Sequence, residues 1–249
     1  MFIISFFLVF VLITLFIVKL NDYEQNHHCS FRYNSDFGGL GDLYICYELP
    51  ASKYQLQPGS YGLQLHKPLI LLYPETEQEV SVELEYTPGF SATFPLYDNA
   101  KKGWSVTANP DGTLLDHSTN QETYGLFWEG NLTHANYNTS KGWVIKGGEV
   151  REFLYEKLTE IGLNTKEKSD FIMFWYPKLQ KYPYIQITFA GEDYNQSAPL
   201  KITPKPDSLL RVFMVAQPLD APKKIEPQTL DRFQRKGFSV VEWGGTIVE

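Results

Sequence analysis

Three charged side chains stand where a strand pattern calls for apolar ones. Arg211 is the only charge within Leu209–Ala216, and alternation sets it on one face with Leu209, Phe213 and Val215. Glu242 shares a face with Phe238 and Val240, and Glu129 follows the Tyr124–Trp128 run on the side of Phe127. A charge on an apolar face needs a partner, because isolated burial costs several kcal/mol. The simplest chemistry is a structural ion pair, Arg211 with Glu242 first and Glu129 second. The alternative is a pair of carboxylates, Glu129 and Glu242, flanked by Trp128 and Trp243. That set is what a glycosidase uses: an acid, a base or nucleophile, and aromatic platforms for sugar rings.

Trp104, Trp128, Trp143 and Trp243 all fall on predicted strands. Exposed, they would stack on glycans, with Arg211 as a polar neighbour; buried, they are core, where large aromatics dominate. No nucleophile elbow, Walker loop, zinc-protease helix or EF-hand loop occurs. The five histidines are scattered, with no Ser–His pair or metal triad in view. No cofactor or metal is expected. The net charge of −7 argues against nucleic acid, whose binders carry basic patches.

The elements that must position these residues follow from periodicity. Apolar or alternating runs predict strands at Leu69–Tyr73, Val80–Tyr86, Trp104–Thr107, Thr113–Asp116, Tyr124–Trp128 and Gly142–Ile145. The turn Asn109-Pro110-Asp111-Gly112 separates two of them. The period then changes to helical spacing at Val150, Phe153, Leu154, Leu158 and Ile161, stopped by Gly162. A second helix opens on an Asn164/Glu167 capping box, and Pro177 should kink or end it. Strands resume at Tyr184–Phe189 and Leu209–Ala216, and a short helix at Gln228–Arg235 leads to a last strand, Phe238–Trp243. These elements predict an α+β domain over residues 67–249, a mostly antiparallel β-sandwich with an inserted helical hairpin.

The first 18 residues carry no charge, and only Ser5 and Thr14 interrupt their apolar run. This reads as one N-terminal transmembrane helix, an uncleaved signal anchor, with the soluble domain extracytoplasmic. Residues 19–66 form a juxtamembrane segment holding a turn-forming cluster, Gly38–Gly41, and both cysteines, Cys29 and Cys46. In an oxidising compartment a Cys29–Cys46 disulfide would add about 3 kcal/mol. The rival is a metal held by His27, His28, Cys29 and Cys46, whose spacing matches no common site.

From Lys67 onward the chain resembles a widespread bacterial family of uncharacterised proteins. The resemblance rests on Lys67-Pro68-Leu69-Ile70-Leu71-Leu72-Tyr73-Pro74-Glu75, Pro110–Leu114, Leu126-Phe127-Trp128-Glu129-Gly130 and Lys141–Gly147, and continues in Pro204–Asp207, Arg211–Met214 and Lys236–Gly245. It implies a shared fold and brings no catalytic residues. The expectation is a membrane-anchored binding or structural protein of the cell envelope, with a surface glycan or envelope protein as partner. The alternative is a carbohydrate-active hydrolase using the glutamate pair.

Overall fold

A computed structural model of the protein describes residues 63–87, 89–132 and 137–248. The predicted transmembrane run 1–18, the Gly38–Gly41 cluster and the Cys29–Cys46 pair all lie outside the described residues. Among those described, no helix is long and apolar enough to cross a membrane.

The domain is α+β and rich in β-structure. A seven-stranded sheet runs in the order β3-β7-β1-β12-β11-β9-β8, formed by β1 (Leu63–Tyr73), β3 (Phe90–Phe94), β7 (Leu126–Leu132), β8 (Trp143–Lys146), β9 (Tyr184–Phe189), β11 (Ser208–Leu219) and β12 (Ser239–Ile247). A five-stranded sheet, β10-β2-β4-β5-β6, comprises β2 (Gln78–Leu84), β4 (Gly103–Ala108), β5 (Leu114–Asp116), β6 (Gln121–Thr123) and β10 (Leu200–Thr203). Its apolar face meets one side of the larger sheet. There Val80, Val82, Trp104 and Val106 pack with Ile70, Leu72, Trp128, Phe213 and Val240. The other side of the larger sheet is covered by helices α1 (Val150–Ile161) and α2 (Thr165–Leu179), which bury Leu154, Leu158, Phe171 and Trp175 against Leu69, Leu71, Val212, Met214 and Trp243. The central strands are therefore covered on both faces, which is why β12 reads as a near-continuous buried run.

Helix α1 stops because Gly162 takes a left-handed φ of 104° and returns its N–H to Leu158 O. Asn164 and Glu167 form the expected reciprocal capping box at the start of α2. Pro177 neither ends that helix nor keeps it short; α2 runs on to Leu179. So near the C-terminus a missing donor breaks little of the ladder. The predicted helix at Gln228–Arg235 is absent, and residues 220–238 cross the protein without helix or strand. An eight-residue pattern is too short to hold a helix unaided, and here its groups are taken by tertiary partners. Phe233 N donates to Ile161 O at 2.8 Å, and Arg235 Nη2 lies 2.5 Å from Glu167 Oε2. This crossover makes β11 and β12 parallel, the exception among the described strand pairs. Elements not read from the sequence are β3, β6, β10 and a short helix, α3 (Gly191–Ser197).

Strand β1 carries a bulge that matters for the site. Its pairing slips between His66 and Leu69 against β12, and between Leu65 and Leu69 against β7. The irregularity resets the alternation, so Leu65 and Ile70, five residues apart, face the same core.

Candidate functional site

Parallel pairing sets Arg211 of β11 directly beside Glu242 of β12. Both point into the layer between the sheets, where their side chains are 4% and 0% exposed. Arg211 Nε donates to Glu242 Oε2 at 2.5 Å. Glu242 Oε1 accepts from Trp128 Nε1 at 3.0 Å and from Tyr194 OH at 2.8 Å. Both carboxylate oxygens are thus engaged by donors from three other elements. The Tyr194 ring lies between the guanidinium, 4.4 Å away, and the Phe213 ring, stacked at 4.3 Å. Arg211 Nη1 donates to Ala198 O at 2.7 Å and to Asn195 Oδ1 at 3.2 Å. Burial, then the neighbouring Glu242 charge, pushes the Tyr194 hydroxyl well above its ordinary pKa, so it stays a donor. Burial pulls the Arg211 guanidinium down, but the charges and hydrogen bonds of Glu242 and Tyr194 together outweigh it and the net shift is upward. The expected pairing of Arg211 with Glu242 is what the structure contains.

Glu129 lies elsewhere. Phe127 packs with the helix layer and Trp128 with the sandwich, so alternation sends Glu129 to the helix side. There its Oε1 accepts the Lys67 N–H of the β1 bulge at 3.1 Å, where Lys67 has a φ of 53°. The Lys67 ammonium sits 5.2 Å from the Phe174 ring centroid and 5.7 Å from that of Trp243. His66 packs edge-on to Trp175, and burial lowers its pKa, with Glu129 opposing and Lys178 adding to the shift. So the two glutamates stand on opposite faces of one sheet, Glu242 bonded to Trp128 and Glu129 to the Lys67 backbone. Glycoside hydrolysis needs both carboxyls on a single bond, about 5–9.5 Å apart. The arrangement offers no such pair. Trp128 and Trp243 are fully buried and Trp104 nearly so, which makes them core rather than platforms; Trp143 is half-buried against Phe153 and Phe189.

Two further clusters escaped the sequence. On the outer face of the smaller sheet, His117 Nδ1 lies 3.0 Å from Ser105 Oγ, and Nε2 lies 2.8 Å from Thr107 Oγ1 and 3.2 Å from Glu79 Oε2. The order hydroxyl, imidazole, carboxylate is that of a nucleophilic relay. With the Glu79 side chain 72% exposed, however, water competes for its oxygens, and the set works as a surface network joining β2 and β4 to the turn after β5. The residues are far apart in sequence, and only strand register brings them together.

The second cluster borders an open cavity of about 270 Å³ at the end of β9, lined by Asn138, Lys141, Phe189, Glu192, Asp193 and Gln228 among others. Strand β8 pairs with β9 only as far as Ile187. Gln186, inside that pairing, and Thr188, just past it, hold the carbonyls of Thr139 and Lys141 through Nε2 and Oγ1 at 2.7 and 2.8 Å. The backbone of Phe189 is met by the Gln228 side chain: Phe189 N donates to Oε1 at 2.8 Å, and Nε2 donates to Phe189 O at 3.0 Å. Lys141 Nζ is 2.6 Å from Glu226 Oε1 at the rim.

The chain is similar to a protein of Butyrivibrio fibrisolvens described as an uncharacterized protein in the bglA 3′ region, with 44% identity over 66 residues. The match covers 26% of this chain and 65% of that protein, so it reaches less than two thirds of the relative's length. No family model matches the chain, and no solved structure matches it.

Proposed function

We propose that this protein is an extracytoplasmic binding module of a cell envelope, tethered through the uncharged run Met1–Val18, with its ligand taken at the cleft beside Phe189. One observation carries the preference for binding over catalysis. Glu242 is saturated by Arg211, Trp128 and Tyr194 inside a closed core, while Glu129 faces the opposite side of the sheet. The acids that could have formed a hydrolytic pair are therefore structural, and the open concavity is lined by amide, carboxylate and aromatic groups suited to holding a ligand.

The test uses the full chain in two arms. Protease added to spheroplasts should digest the domain while a cytoplasmic marker survives; protection of the domain alongside that marker would refute the location. Incubation with envelope glycans should release no new reducing ends. Turnover that disappears in both Glu129→Gln and Glu242→Gln would instead establish the hydrolase.

A further inference from the structure

The polar groups bordering the Phe189 cleft are held at one end and open at the other. Asn138 N donates to Asp193 Oδ2 at 2.7 Å, which ties the loop before β8 to α3. Asn138 Oδ1 accepts from Ser140 N at 3.1 Å and from Ser140 Oγ at 2.6 Å, which fixes the plane of its amide. Among the described residues, these bonds leave over the donor pair of Asn138 Nδ2 and the acceptor Asp193 Oδ1, on adjoining residues of the cleft wall. Glu192, next to them, meets no hydrogen-bond or ionic partner there. The backbone of Phe189 is closed off by Gln228, so recognition falls to these side chains and to the half-buried Phe189 ring.

We propose that the cleft receives one uncharged sugar ring of a glycan. The inference rests on the reading of this cleft as the ligand site and names the class of ligand. Donors and acceptors stand together here, and a hydroxyl group is both, so adjacent hydroxyls of one ring answer Asn138 Nδ2 and Asp193 Oδ1 at once. A hard metal ion would use the oxygens alone, and an anion the donors alone. Phe189 supplies the apolar contact for the C–H face of the ring, which carries the partial positive charge an aromatic face attracts. Because Asn138 and Asp193 are pinned by internal bonds before a ligand arrives, little ordering cost is left for binding. Size and charge narrow the class. The cavity of about 270 Å³ lies just under the roughly 300–1,000 Å³ of sites that enclose drug-sized molecules, so one ring enters and the rest of the glycan leaves through the open mouth. Lys141 is answered by Glu226 on the rim, whereas Glu192 has no cation, which sets the site against uronic acids and phosphorylated sugars.

The test titrates methyl glycosides of glucose, galactose and mannose into the isotope-labelled full chain, in a phosphocholine detergent that carries no sugar headgroup. Methyl glucuronide and calcium chloride serve as comparators. The readouts are the backbone amides of Phe189 and Gly191 and the side-chain amide of Asn138. At least one neutral glycoside should shift all three saturably, with a Kd on the order of 1 mM. The glucuronide should bind about fivefold more weakly. Asn138→Asp keeps the oxygen that Ser140 holds but turns the Nδ2 donors into an acceptor, and should weaken the glycoside roughly tenfold. Phe189→Leu keeps an apolar side chain and the backbone bonds to Gln228 but removes the ring, and should weaken it several-fold. An unchanged Kd in either variant, or glucuronide binding as tightly as the glycoside, would overturn the sugar assignment. A shift with calcium but with no glycoside would overturn it too and leave the binding-module reading standing. No shift with any of these would overturn both.

Discussion

Replacing Arg211 by alanine removes the Nε donor from Glu242 Oε2 and the Nη1 donor from Ala198 O. Glu242, at 0% exposure, keeps Trp128 and Tyr194 on its other oxygen but loses the cation that balances its charge. Breaking a buried pair on one side costs about 3–5 kcal/mol, since the remaining charge stays desolvated. For a domain of this size that lowers Tm by roughly 6–20 °C. Chemical denaturation with an unchanged m value should show the loss as a shift in midpoint alone. Arg211→Met keeps the stem's packing and should cost less than alanine, yet still leave the charge stranded. The decisive variant combines Arg211→Met with Glu242→Gln. Glutamine offers an acceptor to Trp128 and Tyr194 without a charge, so the double variant should recover about 1–3 kcal/mol relative to the sum of the singles. An Arg211→Ala variant within about 1 kcal/mol of the parent, or a double variant additive within about 0.5 kcal/mol, would refute the pair as described.

Three other perturbations follow from the same structure. Burial raises Tyr86 and Tyr137 to about 12 and pushes Tyr194 upward too, so these groups ionise later in the folded than in the unfolded chain. Their contribution is complete below about pH 10 and should fade as pH rises through about 12; tyrosinate absorbance against pH in folded and denatured protein checks it, and identical curves would contradict it. His66 has a lowered pKa, so its contribution is present above about pH 6.5 and lost as pH falls through the folded value. His66→Gln should therefore reduce the acid sensitivity of unfolding, measured as the slope of stability below that pH. Gly245→Ala would set a Cβ 2.4 Å from Met214 O and 2.8 Å from Trp175 Cζ2, and should destabilise by about 1–3 kcal/mol in thermal melts.

The legible parts of this fold are those whose pattern is local. Helix α1 shows its buried stripe within twelve consecutive residues and its glycine stop in the next, and the Asn164/Glu167 box announces α2. Arg211 and Glu242 are legible for a related reason: each breaks an apolar alternation, and a buried charge has to find another. Tyr194, which completes their network, gives no signal, because α3 has only seven residues and a polar sequence around its one buried ring. Gln228 reads as helix in the sequence since its partner, the backbone of Phe189, lies 39 residues away. Separating Glu129 from Glu242 needs the faces of two strands at once, as does assembling Ser105, His117 and Glu79. Alternation orders side chains within a strand but says nothing of which strand lies next to it.

Strand β12 lies at the heart of the larger sheet, between β1 and β11, yet it is the last of the described strands to leave the ribosome. Until it arrives, β1 lacks one neighbour, β11 lacks another, and Arg211 has no Glu242. The two layers of core cannot close around a gap in their middle, and the contacts that close it join the two ends of the domain, the slowest kind to form. A growing chain with this topology cannot close the domain until β12 has been made. Folding of the domain is thus deferred to that point, and what exists before it is a thread rather than a globule.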